Sequence, residues 1–104
     1  MLIATNPSNG KIIAEYPTLN NTELHERIGD AFRAADQWQA RSYEERGQVL
    51  RAVAAELRKQ KDHLAKLMAM EMGRPIKEGG PEVEKAAGCA EYYAEHAEEH
   101  LSPQ

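Results

Sequence analysis

The chain has 104 residues, with 13 Lys+Arg against 17 Asp+Glu, a formal net charge of -4 and 41% hydrophobic residues. No apolar run approaches the roughly 20 residues of a bilayer span, and the acidic balance argues against nucleic acid, whose phosphates require a cationic footprint. The single cysteine, Cys89, excludes an internal disulfide and a multi-cysteine zinc site, and the start lacks the basic and apolar regions of a signal peptide, so the cytoplasm is the expected location.

The first element reads as a β-hairpin over residues 1–17. Leu2-Ile3-Ala4-Thr5 and Lys11-Ile12-Ile13-Ala14-Glu15-Tyr16 flank Asn6-Pro7-Ser8-Asn9-Gly10. Pro7 presets a turn angle, Asn9-Gly10 accepts a positive φ, and Pro17 ends the second strand. Two strands alone are marginal in water, so this hairpin needs a surface to lie on.

A helix is predicted over residues 21–40, capped by one of Asn20, Asn21 and Thr22. Leu24, Ile28, Ala31, Phe32, Ala35 and Trp38 fall on one face, with Gly29 in mid-helix. Ser42-Tyr43-Glu44-Glu45 has the form of a capping box and opens a second helix, 42–73. Its apolar positions are Val49, Leu50, Val53, Leu57, Leu64, Leu67, Met68 and Met72; Gly73 and Pro75 stop it. As one rod it would be about 45 Å long, too long for a three-helix core of this size, and suited to bracing a larger body.

The last helix, 75–101, has two candidate starts, Pro75 and Pro81 after Gly79-Gly80. Its stripe is Val83, Ala86, Ala87, Ala90, Ala94, Ala97 and Leu101. Alanine favours helix but buries little area, so the stripe suits close packing against a partner surface.

The residues that could carry chemistry mostly have plainer readings. Cys89 lies mid-helix between Gly88 and Ala90, in what reads as a small, packed environment rather than one that activates a thiolate. His96 and His100 share a helix face and could form half a metal site, but no third ligand stands at a telling distance. His25 and His63 read as surface residues. Glu82, Glu84, Glu91, Glu95, Glu98 and Glu99 read as a solvated face. Gly73, Gly79 and Gly80 form no phosphate loop after a strand, and Met68 and Met72, flanking Met70, read as core. No catalytic, cofactor-binding or metal-binding residue is assigned.

Several stretches resemble the aldehyde dehydrogenase family, most nearly its succinate-semialdehyde subgroup. Asn6-Pro7-Ser8-Asn9-Gly10-Lys11 is similar to the family's NPxTGE-type turn, with Asn9 where threonine is usual. Ala31-Phe32-Arg33-Ala34-Ala35-Asp36-Gln37-Trp38 resembles its AxxAFxxW helix, and Glu45-Arg46-Gly47-Gln48-Val49-Leu50 its ERxxxL. Met70-Glu71-Met72-Gly73-Arg74-Pro75 resembles the ExGKP signature, and Glu82-Val83-Glu84-Lys85 with Tyr92-Tyr93-Ala94-Glu95 the following helix. Gly79-Gly80-Pro81 departs from the family, which keeps helix formers there.

The resemblance implies a mainly α piece, a β-hairpin and three amphipathic helices, of the α/β, Rossmann-like aldehyde dehydrogenase fold. It implies the N-terminal part of the cofactor-binding domain. The parent would oxidise an aldehyde to an acid with a cysteine nucleophile, a glutamate base and NAD or NADP, all of which the family carries further along the chain. Cys89 does not match the nucleophile's motif. The start at Met1 reads as native and the stop at Gln104 as a cut, so the remainder of the parent enzyme is the expected partner. Two other readings are a free-standing, self-associating helical module whose exposed faces form a homo-oligomer, and a zinc-binding pair at His96 and His100.

Overall fold

The computed structural model describes residues 1–103. Its elements run β1 (Leu2–Thr5), β2 (Ile12–Tyr16), α1 (Asn21–Gln39), α2 (Tyr43–Lys59), α3 (Lys61–Met72) and α4 (Ile76–Leu101). The hairpin and the mainly helical class agree with the sequence reading, but the expected 42–73 helix is two helices.

In the hairpin, β1 and β2 pair antiparallel, with Leu2 opposite Tyr16 and Ala4 opposite Ala14. The register then slips so that Thr5 meets Ile12, leaving Ile13 as the extra residue of a bulge. The turn is built by side chains. Asn6 Oδ1 accepts from the Ser8 N–H and Asn9 Oδ1 from the Lys11 N–H, both at 2.9 Å. Gly10 alone takes the positive φ there, at 69°. A β-carbon added at Gly73 would lie 3.1 Å from Pro7 Cγ, so the turn rests against the end of α3.

Helix α1 starts with a complete capping box. Asn20 Oδ1 accepts from the Glu23 N–H, and the Asn20 N–H donates to Glu23 Oε2, each at 2.9 Å. The box expected at Ser42 forms only by half: Ser42 Oγ accepts from the Glu45 N–H at 3.1 Å. Despite its apolar face, α1 buries nothing; Ile28 is 59% and Phe32 78% exposed.

The core lies along α4. Helices α2 and α3 run antiparallel to it, α3 beside its first half and α2 beside its second. The fully packed residues are small: Ala54, Ala65, Val83 and Ala87, with Gly47 and Gly79. A β-carbon at Gly79 would sit 2.6 Å from Ala65 Cα, and one at Gly47 would sit 3.0 Å from the Ala94 carbonyl oxygen. These two glycines let the helix backbones approach, which accounts for glycine at position 79.

The rod bends at Gln60, whose φ of -95° and ψ of 12° leave the helical well. Neither proline nor glycine marks the bend. Bending lays α3 along α4, where a straight rod would project past it. Helix α4 begins at Ile76, directly after Pro75, and runs through Pro81, which lacks the N–H that would reach the Lys77 carbonyl. Pro75 is therefore the start. Met68 is half-buried, whereas Met70 and Met72 are exposed, Met72 to 66%; the core reading holds only for Met68. In the last helix, Ala86 and Leu101 are exposed and stand off the buried seam.

The radius of gyration is 17.9 Å. A compact domain of this length would have about 13 Å. The α2–α3–α4 bundle is packed; the hairpin and α1 extend from it. No helix is long and apolar enough to cross a membrane among the described residues.

Candidate functional site

The largest polar constellation lies where the bend meets α4. Arg58, near the end of α2, donates through Nε to Glu84 Oε2 at 3.0 Å and through Nη2 to Glu91 Oε1 at 2.6 Å. Lys61, at the start of α3, donates through Nζ to Glu84 Oε1 at 3.1 Å. Glu84 thus holds the chain on both sides of Gln60. The hydrogen bonds from Arg58 lower the Glu84 and Glu91 carboxyls below their usual value, with Lys61 adding to the effect at Glu84. The same bonds push the Arg58 guanidinium further toward permanent charge. Arg74 likewise donates to Glu78 at 3.4 Å and to Glu82 at 3.1 Å. The acidic residues of α4 are therefore not one solvated face, because Glu84 and Glu91 tie α4 to α2 and α3, and Glu82 ties it to Arg74 in the preceding connection. Lysine and arginine at these positions were visible in the sequence, but their pairing depended on a bend that was not.

The other candidates are scattered. Cys89 is exposed on α4, away from the Val83–Ala87 seam, so the packed environment expected for it is absent. Its neighbour at 86 is exposed as well. His96 and His100 lie at the far end of α4 with Tyr92. The Tyr92 and His96 rings are 4.4 Å apart, and the Tyr92 hydroxyl lies 3.2 Å from His100 Nε2. Glu99 Oε2 stands 3.4 Å from His96 Nδ1. Among the described residues, no three His, Cys, Asp or Glu side chains gather as a metal-ligand set. His25 Nδ1 lies 2.6 Å from the Asn21 carbonyl on exposed α1. His63 is exposed on α3, beside an open cleft that Lys66 and Lys77 also line.

One feature escaped the sequence reading. A cleft of about 200 Å³ opens where α1 ends, α2 begins and α4 finishes, lined by Trp38, Tyr43, Arg46, Leu50, Tyr93 and Leu101, among others. The Arg46 guanidinium carbon lies 4.5 Å from the centre of the Tyr43 ring. Its Nε is buried and has no hydrogen-bond partner. Arg46 pairs with no carboxylate among the described residues. The ERxxxL motif flagged the residue, but no rule of spacing shows that an arginine will be left unpaired.

The described residues do not fit a dinucleotide. Such a ligand needs a glycine-rich turn between a parallel strand and a helix N-terminus. Here the sheet is one antiparallel hairpin, Gly73 follows α3, and Gly79 and Gly80 lie inside α4.

The profile of the Aldehyde dehydrogenase family matches residues 2–104. This chain belongs to the aldehyde dehydrogenase family. It is 37% identical over 98 residues to the chloroplastic betaine aldehyde dehydrogenase of Amaranthus hypochondriacus, covering 89% of this chain and 20% of that protein. It is 36% identical over 92 residues to the mitochondrial succinate-semialdehyde dehydrogenase of Arabidopsis thaliana, covering 88% of this chain and 17% of that one. Among solved structures, the succinic semialdehyde dehydrogenase of Streptococcus pyogenes in complex with NADP+ superposes with a TM-score of 0.88 at 28% identity. That match covers 95% of this chain and 22% of the other. The chain therefore spans about a fifth of the aldehyde dehydrogenases it matches. The succinate-semialdehyde and betaine-aldehyde relatives stand equally near, at 36% and 37%.

Proposed function

We infer that this chain is a structural segment of an NAD(P)-dependent aldehyde dehydrogenase, the N-terminal part of its cofactor-binding domain. The parent enzyme oxidises an aldehyde, of the succinate-semialdehyde type, to the carboxylic acid. The segment contributes helices that cover a sheet and supplies no catalytic or cofactor-binding side chain. The observation that carries this reading is α1, a helix with a complete N-terminal capping box whose apolar face buries no residue within the chain. An apolar face of that kind is built against a surface, and a match spanning about a fifth of the relatives' length supports the reading that the rest of a parent enzyme supplies it. The remainder of the parent is the partner. The reading also places the protein in the cytoplasm, where an exposed lone thiol such as Cys89 stays reduced.

The test is NAD(P)H formation from succinate semialdehyde and betaine aldehyde by the purified chain. No rate above the blank is expected, and measurable turnover overturns the assignment. The exposed α1 face also supports a second reading, a helical module that self-associates. Light scattering over a concentration series decides it: a growing mass supports association, and a monomer with a cooperative melt removes it.

A further inference from the structure

We propose that the cleft at the junction of α1, α2 and α4 binds a small carboxylate carried on an aromatic or branched apolar body. The walls of the cleft are aromatic and aliphatic, and Arg46 is the single charged residue lining its roughly 200 Å³. No carboxylate among the described residues pairs with that charge; Glu44, Glu95 and Glu98 line a neighbouring cleft that shares Tyr43 and Gly47. The Arg46 guanidinium stands over the Tyr43 ring, with Nε beneath the surface and without an acceptor. An orphaned charged donor is unfavourable, and it is the group that an incoming anion relieves.

The chemistry of the ligand follows from the geometry of the side chain. A guanidinium presents its donors as a planar fork that matches the two oxygens of a carboxylate. Turning the fork toward the cleft would offer its donors to those oxygens. Trp38, Tyr43 and Tyr93 then receive a ring or branched chain, as apolar pockets with a few polar anchors do. A neutral isostere would leave Nε unpaired, and a bare anion would leave the walls wet. The cleft should therefore select for both halves of the ligand together. This inference uses no part of the aldehyde dehydrogenase reaction and stands or falls apart from it.

Phenylacetate is a suitable probe, with phenylacetamide and acetate as the two half-ligands. In a titration of the 15N-labelled 104-residue chain, the Arg46 Nε–H and Trp38 indole N–H resonances report the site. Phenylacetate is expected to shift both saturably, with a Kd on the order of 1 mM. Phenylacetamide and acetate should each bind roughly tenfold more weakly. Arg46→Gln should erase the preference for phenylacetate over phenylacetamide. Arg46→Lys, which keeps the charge but loses the fork, should reduce that preference and serves where the glutamine variant fails to fold. Equal affinity for phenylacetate and phenylacetamide overturns the proposal. So does the absence of a saturable shift, or a preference unchanged in the folded variant.

Discussion

Helices α1 and α4 are both long, yet they differ in the way that matters for stability. Helix α1 has a complete cap and large apolar residues on one face, and buries none of them. Helix α4 has no side-chain cap, carries a proline and a stripe of small residues, and holds the bundle together. Helix formation follows local rules, whereas stabilisation requires a facing surface. Small residues suffice for α4 because Gly79 and Gly47 bring backbones close; Leu24, Ile28 and Phe32 achieve nothing for α1 without an opposite wall.

Substitutions in the two helices should separate these roles. The largest effect is expected at Gly79→Ala, whose β-carbon would lie 2.6 Å from the Ala65 backbone. Overpacking there should destabilise by about 1–3 kcal/mol and lower the thermal midpoint. The matched change in α1, Gly29→Ala, meets only the flexible Arg33 guanidinium, nearest at 3.2 Å. It should raise helicity by circular dichroism and stabilise by up to about 1 kcal/mol. Shifts of the same sign would undo the contrast. Next, Val83→Ala removes two methyl groups from a residue 3% exposed and should cost about 1.5 kcal/mol. Phe32→Ala should stay within about 0.5 kcal/mol in a denaturant titration, although it removes the larger side chain.

Acid should act on the bundle. The Glu84 and Glu91 carboxyls are depressed below 4.5, so their pairs with Arg58 are intact at neutral pH. Their contribution is lost as pH falls through those lowered values. A pH series of melts should therefore show midpoints falling below the ordinary glutamate range, and Glu84→Gln should flatten that fall. The smallest expected effect is local: Glu84→Gln should speed amide exchange around Gln60 while leaving exchange along α1 unchanged. Faster exchange throughout would mean that Glu84 supports more than the bend.

What the local sequence encodes follows the same division. Asn9-Gly10, the Leu24–Trp38 face and the Gly73-Pro75 stop are encoded within a few residues, so the hairpin and most helix limits were legible. The bend at Gln60 was not, because glutamine is an ordinary helix former and the bend is set by α4 and by Glu84 gripping Arg58 and Lys61. Cys89 was read as packed because small neighbours usually signal contact; the seam passes through Val83 and Ala87 instead. The isolation of Arg46 depends on which carboxylates fold close to it, and sequence spacing carries no record of that.

The position of α4 in chain order has a consequence for synthesis on the ribosome. Helices α2 and α3 pack on a helix translated after them. Until residues 76–101 leave the exit tunnel, the preceding helices have no surface on which to consolidate. The nascent polypeptide therefore passes through a long interval with its apolar side chains open, when holdase chaperones would engage it.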